Sequence, residues 1–290
     1  MDTDNGNLEK ESKEERTSEK IEKGEDKGNI QNQSPAKPKL RASTAILIFI
    51  LYLAGQVLTA IFVTVFEIIK YAAGGGNINQ QTAIQELISD KMPLIVFVSA
   101  FGGAIALAAG AYAIRKSLQD NSLFGAAWTV GKPKVLLSSF ILGVCAAFLF
   151  FIISISSLFL FSPASGQKAG LLAQMAGQSG FGQFTVIIFA LFMAPLIEEL
   201  LFRGILLGGL NRSFGIWWGV VVSNLLFISL HYSEAIHFWP AFIGIGLLSA
   251  TATRQRLTQN AIGPAIAVHF GYNLMILGIA LIAKITGGSI

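Results

Sequence analysis

Past its first 43 residues this chain has very little charge: seven acidic and twelve basic groups over 247 positions, against ten acidic and nine basic in the opening 43. A soluble domain devotes about a quarter of its residues to Asp, Glu, Lys and Arg, whereas the whole chain reaches 13% and is 53% hydrophobic. That deficit excludes an ordinary water-soluble globule and suits a bilayer. Clustered basic charge is missing as well. The cations sit singly or in pairs at the ends of apolar runs, where anionic lipid headgroups would meet them, so no nucleic-acid partner is expected. Cysteine is reduced to Cys145, which excludes an intrachain disulfide, and its apolar setting points to packing rather than reactivity. No apolar stretch occupies the first 30 residues, so no cleavable signal peptide is expected, and the first apolar run should act as an uncleaved anchor.

Residues 1–43 mix Lys, Glu, Asp, Asn, Gln and Ser with almost no apolar content. Such a segment cannot bury enough surface to offset its ordering entropy and is expected to be a disordered, charged cytosolic tail. Residues 44–290 form the expected transmembrane domain. Its apolar segments are 44–69, 93–114, 135–161, 184–210, 214–232, 238–253 and 261–284, the sixth being short enough for a partial span. At 1.5 Å per residue each crosses, or nearly crosses, about 30 Å of hydrocarbon. The fold class is therefore all-α, a polytopic transmembrane helix bundle of about seven spans, with six to eight compatible and short interfacial helices possible in 117–134 and 162–180. Lys37, Lys39, Arg41, Arg115, Lys116, Lys132, Lys134, Arg212, Arg254 and Arg256 fall on alternate connections, which favours a cytosolic N-terminus in a multi-pass integral membrane protein. Small residues recur every fourth position at Gly102, Ala106 and Gly110, at Gly204 and Gly208, and at Gly246 and Ala250, as close helix packing requires.

The informative residues are ionisable or amide side chains deep inside spans. Glu198, Glu199 and Arg203 lie in the fourth, His231 near the end of the fifth, and His269 and Asn273 in the seventh. Glu199 and Arg203 are four apart, as are His269 and Asn273, so each pair shares a helix face. Asn224, Phe227 and His231 form one stripe on the fifth helix. Counted from the turn around Arg212, Glu198 is ~20 Å deep, Arg203 ~12 Å and His231 ~25 Å; counted from Ala261, His269 and Asn273 are ~12 and ~18 Å deep. Matching depth makes a shared pocket feasible, although spacing cannot establish that the helices touch. Glu199–Arg203 taken alone also fits a structural ion pair, but Glu198 has no basic partner one turn away. His237 and Glu234 fall in a short external loop and are read as solvated.

Glu-Glu-x-x-x-Arg (198, 199, 203), Phe-x-x-x-His (227, 231) and His-x-x-x-Asn (269, 273), in this order, resemble the CAAX protease and bacteriocin-processing family (CPBP, also called Abi). The resemblance covers about 184–276, with agreement also at Phe202-Arg203-Gly204 and Gly244. It implies a glutamate-dependent intramembrane endopeptidase. Glu198 would activate the hydrolytic water, His231 would hold it, and His269 and Asn273 would donate to the oxyanion. Glu199, Arg203 and Phe227 would support them. No cofactor is implied.

The chemistry is coherent on its own terms, because peptide hydrolysis needs a base, donors for the oxyanion and a proton for the leaving amine. Ser223 and Ser229 lack a recognisable acid–base relay. Two histidines and a glutamate would also suit zinc, although the His-Glu-x-x-His pattern is missing. A proton-coupled transporter or a non-catalytic membrane scaffold are the readings outside hydrolysis. The expected partners are the lipid bilayer and a membrane-associated peptide or protein substrate, whether a lipidated C-terminal tail or a bacteriocin-type peptide.

Overall fold

The computed structural model describes residues 40–118, 129–160, 180–236 and 238–286. The chain gathers into two units, Met1–Lys37 and Pro38–Ile290, and every described residue belongs to the second. The charged tail, the two stretches considered for interfacial helices and His237 thus lie wholly or largely outside the described residues.

Seven principal helices follow one another, with no strand among the described residues. They are α1 (Ala42–Ala73), α2 (Gln81–Leu118), α3 (Pro133–Leu160), α4 (181–214), α5 (Ile216–Leu230), α6 (Pro240–Gln259) and α7 (Gly263–Ile285), with a one-turn helix, Tyr232–Ala235, after α5. Five of them are long and apolar enough to cross a membrane: α1, α2, α3, α4 and α7. The fifth and sixth expected spans fall short for different reasons. α5 has only 15 residues. α6 has 20, but its second half turns polar with Ser249, Thr251, Thr253, Arg254, Gln255 and Arg256. α2 starts twelve residues earlier than its apolar content indicates and runs through Pro93, which removes one helical hydrogen bond without ending the helix. The fold is a multi-pass helical membrane bundle whose apolar side chains, such as Leu58, Phe62, Ile105 and Trp217, face outward because hydrocarbon rather than water is their solvent.

Close backbone contact holds the bundle in two layers. α1 packs on α2, and α3 packs on α6 and α7. A methyl group at Gly102 would strike Thr59 and the Gly55 carbonyl, and one at Gly110 would touch Ile48, as the four-residue spacing in the second span implied. The other two small-residue pairs do not work this way: Gly204, Gly208 and Gly246 have only one neighbour each, at 3.9 Å. Close approach occurs instead at Gly143 against the Val268 carbonyl, Gly271 against the Phe140 carbonyl, and Gly209 against Ala45. Cys145 is exposed on the outer face of α3 rather than packed inside the bundle. An apolar run has a lipid side as well as a core side, and composition does not separate them.

The connection that matters most for the site is the shortest. α4 ends at Phe214 and α5 begins at Ile216, with Gly215 alone between them at φ 85°, ψ 167°. That conformation is closed to residues bearing a Cβ. Four residues into α5, a methyl group at Gly219 would sit 3.0 Å from the Asn211 backbone nitrogen. The two glycines therefore fold α5 flat against α4 and carry the Phe227–His231 stripe back alongside Glu198 and Arg203.

Candidate active site

α4 is not uniform. Two π-helical stretches, Phe189–Met193 and Leu200–Leu206, bracket the α-helical turn Ala194–Glu199. Such widened turns alter the facing of the residues after them and expose backbone carbonyls, and they gather at functional positions. The Ala190 carbonyl in the first stretch accepts a hydrogen bond from Nδ2 of Asn273 at 2.7 Å. Arg203 belongs to the second.

The two adjacent glutamates face different surroundings. Oε1 of Glu199 accepts from Nη1 of Arg203 at 3.0 Å and from Nδ1 of His269 at 2.9 Å, and both carboxylate and guanidinium are sealed from solvent. Arg203 continues the network. Its Nη2 donates to the carbonyl and the hydroxyl of Ser249, both at 3.0 Å, and its Nε reaches the Thr253 hydroxyl at 3.4 Å. Those hydroxyls in turn donate to Oδ1 of Asn224, at 2.6 Å from Ser249 and 2.8 Å from Thr253. The guanidinium also lies over the Phe227 ring, 4.3 Å from its centroid, where the ring's electron-rich face favours a cation. A buried charge without such partners would be strongly destabilising, and here four helices supply them.

Glu198 has no comparable set. Its side chain is 14% exposed, its buried Oε2 has no hydrogen-bond partner, and the nearest basic group is Nε2 of His231 at 3.8 Å. His231 caps α5 just past its last turn at φ −99°, ψ 14°, in the sparsely populated bridge region where active-site residues recur. Its Nδ1 is 3.0 Å from the Phe227 carbonyl. A carbonyl can only accept, so Nδ1 carries a proton, and in the neutral ring Nε2 is then the acceptor turned toward Glu198. By the same logic His269 carries its proton on Nδ1, toward the Glu199 carboxylate. Phe227 is the hub, with ring contacts to Phe202, His231 and His269.

Glu198, Glu199, Arg203, Phe227, His231 and His269 are thus linked by contacts in one polar layer of the bundle, while Asn273 is tied to the Ala190 carbonyl of α4. Reading the sequence missed Ser249 and Thr253, whose spacing of four on α6 was a usable signal, and saw Asn224 only as part of a stripe. It found nothing on the first three spans, whereas Phe49 of α1 stacks edge-on against Phe202 at 5.9 Å. Among the described residues no group of three or more His, Cys, Asp or Glu side chains is arranged to hold a metal ion.

Residues 180–275 match the family described as type II CAAX prenyl endopeptidase Rce1-like. This part of the chain is Rce1-like. The stretch takes in every motif of the polar layer, from α4 to the Asn273 turn of α7, and agrees with the resemblance read from the motifs. The match covers about a third of the chain and supports a protease of the CAAX type carried on a multi-pass helical membrane bundle. No curated protein and no solved structure matches it.

Proposed function

We propose that the chain cleaves a peptide bond of a membrane-associated peptide or protein by water activated on Glu198. The observation that carries this reading is the facing of Oε2 of Glu198 and Nε2 of His231 at 3.8 Å. That separation is too long for a direct bond, and both atoms are acceptors when the carboxylate is ionised and the imidazole neutral. A water molecule has two hydrogens to offer and would satisfy both at once. Held so, it has its lone pairs free to attack a carbonyl while Glu198 removes its proton. Glu199 and Arg203 fix the α4 turn from behind. His269 and Asn273 flank the place where the oxyanion would form, although His269 donates from Nε2 only as an imidazolium and one amide hydrogen of Asn273 is already engaged by Ala190.

The reaction needs no cofactor on this reading. The matched family is described by its action on prenylated CAAX proteins, so a lipidated C-terminal tail is the first substrate to try, with a bacteriocin-type peptide beside it. The cation bias of the loops orients the N-terminus toward the cytosol. The test is cleavage of quenched fluorescent peptides, free and lipidated, by detergent-purified protein, comparing wild type, Glu198→Gln and His269→Ala with and without a strong chelator. Activity that survives chelation and disappears in both variants is the expected result. Chelator-sensitive activity would transfer the role to a zinc ion bound at these side chains, and cleavage unaffected by Glu198→Gln would overturn the reading.

A further inference from the structure

The Rce1-like match begins at residue 180, yet α1, outside it, packs along the Leu200–Phe214 part of α4. The two helices run antiparallel in a register that can be followed turn by turn. A methyl group at Gly209 of α4 would sit 2.6 Å from the Ala45 side chain, and one turn further along α1 the ring of Phe49 meets that of Phe202. The next turn of α1 carries Tyr52, and the next turn of α4 carries Glu198. Tyr52 is 5% exposed and shares the buried cluster of Ile197, Leu201 and Phe202, the α4 residues on either side of Glu198.

The hydroxyl of Tyr52 is held in a defined state. Nε2 of Gln56, one turn on, donates to its oxygen at 2.9 Å. The oxygen is thereby occupied as an acceptor and the O–H proton remains to be given, more strongly because the oxygen already accepts. Gly103 of α2 fixes the pair from behind, since a methyl group there would lie 2.6 Å from Gln56 Cγ and 2.9 Å from Tyr52 Cε2. The hydroxyl is a buried donor at the level of Glu198 along the antiparallel pair, held by two helices. It also fills a shortage, because Asn273 donates to Ala190 and the Nδ1 proton of His269 goes to Glu199.

We propose that Tyr52 is a catalytic hydrogen-bond donor of this protease, supplied by the first helix, which stabilises the oxyanion formed when water on Glu198 adds to the scissile carbonyl. Gln56 is its positioning residue. The inference rests on the Glu198 reading and adds to it a neutral donor whose strength does not depend on protonating a histidine.

The experiment measures kcat, KM and the thermal midpoint of the full chain in detergent on one fluorogenic peptide, for wild type, Tyr52→Phe, Gln56→Leu, Phe49→Leu, Tyr112→Phe and Glu198→Gln. Tyr52→Phe keeps the ring and should lower kcat roughly 100-fold, the usual effect of losing one oxyanion donor. KM should stay within about twofold, because the bond exists only in the transition state. Gln56→Leu should lower kcat by a smaller factor, and Tyr112→Phe on the outer face of α2 should change nothing. Wild-type kcat in Tyr52→Phe with Glu198→Gln inactive would overturn the Tyr52 role and leave the glutamate mechanism standing, whereas active Glu198→Gln would remove the basis of both. A loss in Tyr52→Phe that follows a lowered midpoint and is reproduced by Phe49→Leu, which has no donor to lose, would also overturn it.

Discussion

Two regions of the polar layer lie back to back on one turn of α4. Around Glu199 the groups are sealed from solvent and networked: Arg203 and His269 both meet Oε1 of the carboxylate, Ser249 and Thr253 meet the guanidinium, and Asn224 closes the network, with Oε2 alone left unpartnered. Around Glu198 they are not, and a partly exposed carboxylate faces a histidine 3.8 Å away with Oε2 unpartnered. A polar group whose partners are all protein atoms is fixed and contributes structure. One left with open capacity and some exposure is available for chemistry, and its maintenance lowers stability. The sealed half holds the open half in place, so the same kind of substitution should act in opposite ways on the two sides.

The largest effect that would break this comparison belongs to Glu198→Gln. It should lower kcat by about 10²–10⁴, the range for loss of a general base, while the thermal midpoint in detergent stays level or rises, because an unpaired carboxylate becomes a neutral amide. A fall in the midpoint would show that Glu198 belongs to the sealed region after all. Next comes Arg203→Met, which leaves Glu199 buried without its cation. It should cost about 3–5 kcal/mol, read as a loss of folded protein on size-exclusion chromatography and a lowered midpoint. Full retention of the fold would mean that His269 alone can hold the carboxylate.

Gly215→Ala acts on the hinge between the halves. Its φ of 85° is strained for alanine even though nothing lies within 4 Å of the added methyl, so about 1–3 kcal/mol should be lost. Activity should fall with it, as the Phe227–His231 stripe shifts against Glu198. The smallest effect is that of Cys145→Ala, within about 0.5 kcal/mol because the side chain faces outward. The thiol should react readily with a lipid-soluble maleimide in the folded protein, and protection from that reagent would place α3 against an unseen neighbour.

Much of this was legible before any tertiary contact was known, and particular residues show why. In hydrocarbon the backbone must satisfy itself, so long uncharged runs could only be helices, and α1, α3 and α7 lie close to where their apolar content places them. Glu198, Glu199, Arg203, His231, His269 and Asn273 stood out because an ionisable or amide group inside a span is expensive unless it has a purpose. Hydropathy failed where function diluted it: α6 is too polar to register as a full span because Ser249 and Thr253 serve Arg203.

The sequence by itself determined the helical class, the order of the spans and the residue types available for hydrolysis, since these follow from local composition and a helix's own period. Only the tertiary structure decided which of two adjacent glutamates keeps some exposure, that Asn273 binds a carbonyl 83 residues away, that Arg203 rests on a helix 46 residues downstream, and that Tyr52 of the first helix packs with Ile197 and Leu201. Spacing along one helix specifies a face, whereas a hydrogen bond requires two helices to agree within a fraction of an ångström. That agreement is set by packing at Gly143, Gly209, Gly219 and Gly271 and by the π-turns of α4.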